Sequence, residues 1–249
     1  RQVVASKYGV TGMSYRLNRG IPDPAVDMCV GCMEMVNAQA GGVVYTRNPL
    51  DIRDQSVVIN AAPGLPKAVV DGRFESDLFL VSRGEDRHIL RSEPGSKTGK
   101  YVLDPLEGVR VDQIDQADAD KPSIDDMVAL KLAAMAERLE NFYGRPQDVE
   151  WALDVDGNII LLQCRPLQMS SQRLSSSQAL HQAVSGRYKD RVLFSGGSPA
   201  SPGVGAGPVF FVQKQADSLL FPEGAVLVAT QALPQWAGCC FDSGCMTVF

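Results

Sequence analysis

The stretch QDVEWALDVDGNIILLQCRP, residues 147 to 166, constrains the fold more than any other part of the chain. Two runs rich in apolar residues flank Asp156-Gly157, a pair that readily supplies the positive φ needed by a tight antiparallel turn. The pattern predicts a β-hairpin with a two-residue turn, closed by Val155 and Asn158. Counting outward pairs Leu153 with Ile160, Trp151 with Leu162 and Val149 with Cys164 on a wholly apolar face. Side chains alternate along a strand, so the other face pairs Ala152 with Leu161, Glu150 with Gln163 and Asp148 with Arg165. One face must be buried against another element, and a polar quartet is left on the other.

Two readings of that quartet stand side by side. It can be a solvated surface on which Asp148 and Arg165 form a cross-strand ion pair worth ~0.5 kcal/mol. It can equally be a site for a polyanion and its metal. Carboxylate and amide oxygens suit Mg²⁺, which is commonly held by one or two carboxylates plus ligand phosphates, and an arginine neutralises a phosphate oxygen. Pattern alone does not choose.

The rest of the chain reads as α+β. Between residues 12 and 91 the runs MSYRLN, VDMCVGCMEMV, GGVVYT, QSVVINAA, SDLFLVS and RHILR predict a mainly antiparallel sheet. Residues 93 to 121, rich in Gly, Pro, Asp and Lys, predict an exposed loop. A helix follows, with Ser123 as N-cap and Asp126 placed to complete a capping box. Val128, Leu132, Met135, Leu139 and Phe142 give it one apolar stripe, and Gly144 and Pro146 end it.

With 249 residues, 45% of them hydrophobic, the chain can bury a substantial core. A net charge of −5 without a basic stripe argues against a nucleic-acid surface. No apolar run approaches the ~20 residues of a membrane span and no signal peptide is visible, so a cytoplasmic setting is expected. The six cysteines read as reduced thiols. Cys29 and Cys32 form a CxxC, but a strand reading of VDMCVGCMEMV would turn the two thiols to opposite faces, which argues against zinc. His88, in a strand-like run, and His181, in a helical linker, lack the context of a nucleophile.

YGRPQDVEWALDVDGNIILLQCRPL, Tyr143 to Leu167, resembles the closing hairpin of the nucleotide-binding domain in the phosphoenolpyruvate synthase and pyruvate phosphate dikinase family. That hairpin typically reads YGxPxDIEWA, a turn, and a strand ending QARP. The likeness continues in order along the chain. GGVVYTRNP at 41 to 49 is similar to GVMFTxxP, AAPGLPKAVVDG at 61 to 72 to ASxGLGExVVxG, and GSK at 95 to 97 to the same tripeptide. ASPGVGAGPVFFV at 200 to 212 and GAVLVATQALPQW at 224 to 236 resemble the opening of the family's phosphohistidine swivelling domain.

The resemblance implies an ATP-grasp fold. It also implies a reaction in which the β-phosphoryl of ATP passes to a histidine of the swivelling domain and then to pyruvate on a separate barrel. By motif position Glu150 and Gln163 would hold Mg·ATP, Arg165 would contact a phosphate and Asp148 would orient Arg165. Thr46 lies at a matching position with no role assigned.

Departures from the pattern are also present. Lys67, after Pro66, stands where GLGE has its glutamate, and could weaken Mg²⁺ binding or add a phosphate contact. Met33 and Glu34 replace a glutamine and a basic residue. The family's N-terminal subdomain, with its phosphate-binding lysine and RSSATxED-like motif, has no counterpart before Arg1, and the GGxTxHxA loop is not reached by Phe249. The expectation is an incomplete ATP-grasp domain over residues 1–169, a linker over 170–190 and a partial β-rich swivelling domain over 191–249. Such a fragment is expected to be inactive alone. The same modules could serve another acceptor, such as an antibiotic or a glucan, or form a noncatalytic nucleotide-binding module.

Overall fold

A computed structural model describes residues 1–49, 53–167, 205–214, 217, 220–229 and 247–248. The chain forms two units, Met35–Pro202 on one hand and Arg1–Glu34 with Gly203–Phe249 on the other. In the latter, α1 (Gln2–Ala5) and α2 (Val10–Asn18) are helical, so MSYRLN is not the strand its alternation suggests. Arg16 decides this locally, donating to the carbonyls of Lys7 and Gly12 and pairing with Asp23 across the turn that follows. VDMCVGCMEMV also fails to form a strand. It has no ladder partner among the described residues, and both Cys29 and Cys32 are exposed.

The remaining four runs became strands as expected: β1 (Ala38–Tyr45), β2 (Val57–Pro63), β3 (Asp77–Val81) and β4 (Ile89–Glu93). A single helical turn, α3 (Lys67–Val70), joins β2 to β3. The segment expected as a loop instead contains a hairpin, β5 (Gly99–Asp104) and β6 (Gly108–Gln113). An aspartate that looked like a solvated loop residue builds its turn, since the Asp104 carboxylate accepts from the N–H groups of Leu106 and Glu107. Tyr101, Val109 and Val111 of this hairpin pack with Ala62, Leu65 and Ala68 in a small second core.

The long helix α4 (Asp126–Tyr143) starts later than expected. Asp125 is its N-cap, accepting from the Val128 N–H at 2.8 Å, while the Ser123 N–H donates instead to Asp77. The buried stripe is also rotated, to Ala129, Leu132, Ala133, Ala136 and Glu140, leaving Phe142 exposed. Three alanines let the helix lie close against the sheet, an option that ranking residues by hydrophobicity overlooks.

The strands β7 (Gln147–Asp154) and β8 (Ile159–Pro166) complete a six-stranded sheet in the order β4-β3-β2-β1-β7-β8, antiparallel throughout. One face packs under α4, with Val44, Ile59, Phe79, Val149, Trp151 and Leu153 at the centre. Near its middle Gly42 has no room for a side chain, because a Cβ there would lie 1.9 Å from the Asn60 carbonyl oxygen. In the other unit β9 (Val209–Val212), β10 (Val226–Ala229) and β11 (Thr247–Val248) form a parallel sheet around β10, with Val212, Leu227 and Ala229 buried. The whole linker expected over residues 170–190, His181 included, lies outside the described residues. No described helix is long and apolar enough to cross a membrane.

Candidate functional site

The β7–β8 hairpin brings the polar quartet together with the expected partners, although its turn differs. Glu150 lies opposite Gln163 and Asp148 opposite Arg165. The turn closes one residue further out, between Asp154 and Asn158, so the loop is Val155-Asp156-Gly157 and Gly157 takes φ +82°. Asp154 stabilises it, its carboxylate accepting from the N–H groups of Asp156 and Asn158 and from the Asn158 amide. These bonds hold the Asp154 carboxyl below the usual range, the Asn158 side chain first among them. The longer turn shifts the inner pairs, giving Trp151 with Leu161, Ala152 with Ile160 and Leu153 with Ile159. A β-bulge between Glu150 and Trp151 then absorbs the extra residue and returns the outer pairs to register.

The apolar side of the hairpin faces α4, so the quartet lies on the opposite face of the sheet. There the register extends it into two rows. Gln163, Glu150, Val43 and Asn60 form one, and Arg165, Asp148, Tyr45 and Val58 the other. Asp148 is nearly buried, its side chain 10% exposed, whereas that of Arg165 is 63% exposed. One carboxylate oxygen, Asp148 Oδ2, accepts from both Arg165 Nε at 2.8 Å and Nη2 at 2.7 Å. The guanidinium is therefore fixed at its root and open at its tip. Hydrogen bonding to Asp148 and that residue's charge hold Arg165 above its ordinary pKa, so it stays a cation. Burial and the Asp148 charge push the neighbouring Cys164 thiol up, which leaves it protonated.

The model of the family described as pyruvate phosphate dikinase, AMP/ATP-binding domain, matches residues 1–184. The chain belongs to this dikinase family. A probable phosphoenolpyruvate synthase of Staphylothermus marinus is 31% identical over 93% of the chain, covering 31% of that relative. The phosphoenolpyruvate synthase of Neisseria meningitidis serogroup B is 31% identical over 94% of the chain and 30% of its own length. That of Pyrococcus furiosus is 28% identical over 92% of the chain and 28% of its own length. The chain thus spans about 30% of the length of the curated relatives it matches.

Within this dikinase-family chain, two predicted site residues stand apart from the quartet. Thr46 is fully buried on the α4 side of the sheet. Its hydroxyl oxygen accepts from the Gln147 N–H at 2.9 Å and it is hydrogen-bonded to Glu140 of α4. Lys67 begins α3, where its ammonium pairs with Asp71 at 3.1 Å and lies 5.1 Å from the centre of the Tyr101 ring. For a divalent cation the quartet offers one carboxylate and one amide oxygen at Glu150 and Gln163. No group of three or more His, Cys, Asp or Glu placed to hold a metal ion occurs among the described residues. That donor set fits Mg²⁺ carried by a polyphosphate better than an all-protein metal cage.

Sequence reasoning missed Tyr45, which lies opposite Asp148 on this face. Its alternation with Val43 was legible, but the partner strand was not. Also missed was the clasp at the same end of the sheet, where Arg47 and Arg83 both reach Glu140, at 2.8 and 3.2 Å. Burial works against ionisation of Glu140. Hydrogen bonds from Arg47 and Thr46 and the charges of both arginines outweigh it, and the carboxyl titrates below the ordinary glutamate range.

Proposed function

We propose that this chain is the nucleotide-binding part of a phosphoenolpyruvate-synthase-type dikinase and that ATP with Mg²⁺ lies on the polar face of the sheet. The observation carrying this reading is the quartet itself, with Glu150 opposite Gln163 and Arg165 anchored on Asp148 while its tip faces outward. Membership of a family described by AMP/ATP binding, and relatives named phosphoenolpyruvate synthases, support it.

In this reading Glu150 and Gln163 hold the metal that accompanies the polyphosphate. Mg²⁺ would neutralise phosphate charge there. Arg165 takes a phosphate oxygen through its open edge, and Asp148 fixes the direction from which it does so. Thr46 secures β7 against α4 from beneath. Lys67, half exposed and paired with Asp71 through one of its three N–H donors, would add a phosphate contact from α3. The whole enzyme would pass the β-phosphoryl of ATP to a histidine of a swivelling domain to which residues 191–249 contribute, and then to pyruvate.

Calorimetric titration of the chain with Mg·ATP tests this. Glu150→Ala is expected to weaken binding by about tenfold or more, the scale on which metal-site substitutions act. Unchanged affinity in the folded variant would remove Glu150 from the site.

A further inference from the structure

On the same face, and resting on the nucleotide reading above, we infer that Tyr45 is an additional polyphosphate-binding residue whose hydroxyl donates to a phosphate oxygen beside Arg165. Three observations lead there. The first is register. Tyr45 is the direct cross-strand partner of Asp148, which in turn is the partner of Arg165, so the three side chains form one row across β1, β7 and β8. Neighbours in such a row have Cβ atoms about 5 Å apart, so Tyr45 and Arg165, on either side of Asp148, stand about 10 Å apart, a span that a phosphate can bridge when both side chains lean toward it.

The second is electrostatic. Tyr45 is partly buried, and it interacts with the charges of both Asp148 and Arg165. Burial first, then the Asp148 carboxylate, raise its pKa, with Arg165 opposing them. The phenol is therefore neutral and carries its proton wherever the protein works. A neutral O–H next to a fixed cation can serve a phosphate oxygen without the repulsion a phenolate would bring. Asp148 spends Oδ2 on both nitrogens of Arg165 that it engages, and Arg165 Nη1 has no protein acceptor among the described contacts. Phenol and guanidinium edge together thus present two donors on one side of an anion.

The third is compositional. Where the GVMFTxxP pattern has phenylalanine, GVVYTRNP of this chain has tyrosine at residue 45. The ring is common to both and the hydroxyl is the addition. The pattern therefore also supplies the variant with which to test the idea, because phenylalanine is compatible with this strand.

Tyr45→Phe and the parent chain would be titrated calorimetrically with Mg·ATP, inorganic tripolyphosphate and adenosine, with thermal unfolding as a check on folding. The hydroxyl hypothesis expects about tenfold or more weaker binding of ATP and of tripolyphosphate, the loss of one hydrogen bond to a charged group. Adenosine affinity should be unchanged. Equal ATP affinity in parent and variant removes Tyr45 from the site and leaves the nucleotide reading intact. A loss shared equally by adenosine assigns the effect to the ring or the strand, and also overturns the inference. A folded parent that binds none of the three probes overturns the nucleotide reading, and this inference with it.

Discussion

At Glu140 a carboxylate occupies a helix position that continues the buried stripe of Ala129, Leu132, Ala133 and Ala136. A charge is tolerated there because Arg47 and Arg83 approach it from the ends of two strands, leaving its side chain 8% exposed. Glu140→Gln should keep the shape and lose the charge, at a cost of about 2 kcal/mol at neutral pH, because both arginines retain partial access to water. The sign of the pH dependence follows from its depressed pKa. Stability from this group is complete above the ordinary glutamate pKa and is lost as pH falls through the lower folded value, since the unfolded chain takes up the proton first. Urea unfolding between pH 7 and pH 3 should show a flatter acid limb for the variant than for the parent. Parallel limbs would mean that Glu140 is not a stabilising anion. No periodicity in the sequence marks this residue as the centre of a clasp, because its partners come from strands far away in the chain.

The hairpin shows what was legible at the level of elements. Alternation and Asp-Gly turn chemistry identified two paired strands and the polar quartet, because these depend on neighbouring residues. The turn length did not follow from Asp156-Gly157, since Asp154 offers a competing arrangement by bonding to Asp156 and Asn158. Two deviations, a longer turn and a bulge, cancel before the quartet is reached. Glu150 therefore meets Gln163 in either arrangement. Asp154→Ala should favour the two-residue turn, with faster amide hydrogen exchange at Asp156 and Asn158 and a new Trp151–Leu162 contact by NMR. ATP affinity should not change, and a large loss would show that the bulge itself shapes the site. The β5–β6 hairpin was hidden because its few apolar residues lie among charges. The α2 helix was misread because six alternating residues cannot reveal where Arg16 finds its acceptors.

Across the larger unit, Asp77 links three distant segments. Fully buried, it pairs with the equally buried Lys97 and accepts from the Gly95 N–H at 3.0 Å and the Ser123 N–H at 2.7 Å. This gives the GSK tripeptide a structural purpose, since its lysine closes the end of the sheet where α4 begins. Lys97→Met should destabilise the chain by about 3–5 kcal/mol, because it strands a buried carboxylate. Chemical denaturation would measure that loss, and a cost below 1 kcal/mol would show that Asp77 is satisfied by the backbone alone. The quartet has a different relation to chain length. Its four residues pair across a three-residue loop, whereas the contact that docks β1 beside them, Gln147 with Thr46, joins positions 101 residues apart. Closing so long a loop is slower than zipping a hairpin, and it must precede any arrival of Tyr45. During folding the hairpin can thus present Glu150, Gln163 and Arg165 to a ligand while the sheet is still open. A nucleotide bound at that stage, on the reading proposed above, would meet the hairpin's half of both rows before Tyr45 joined the second.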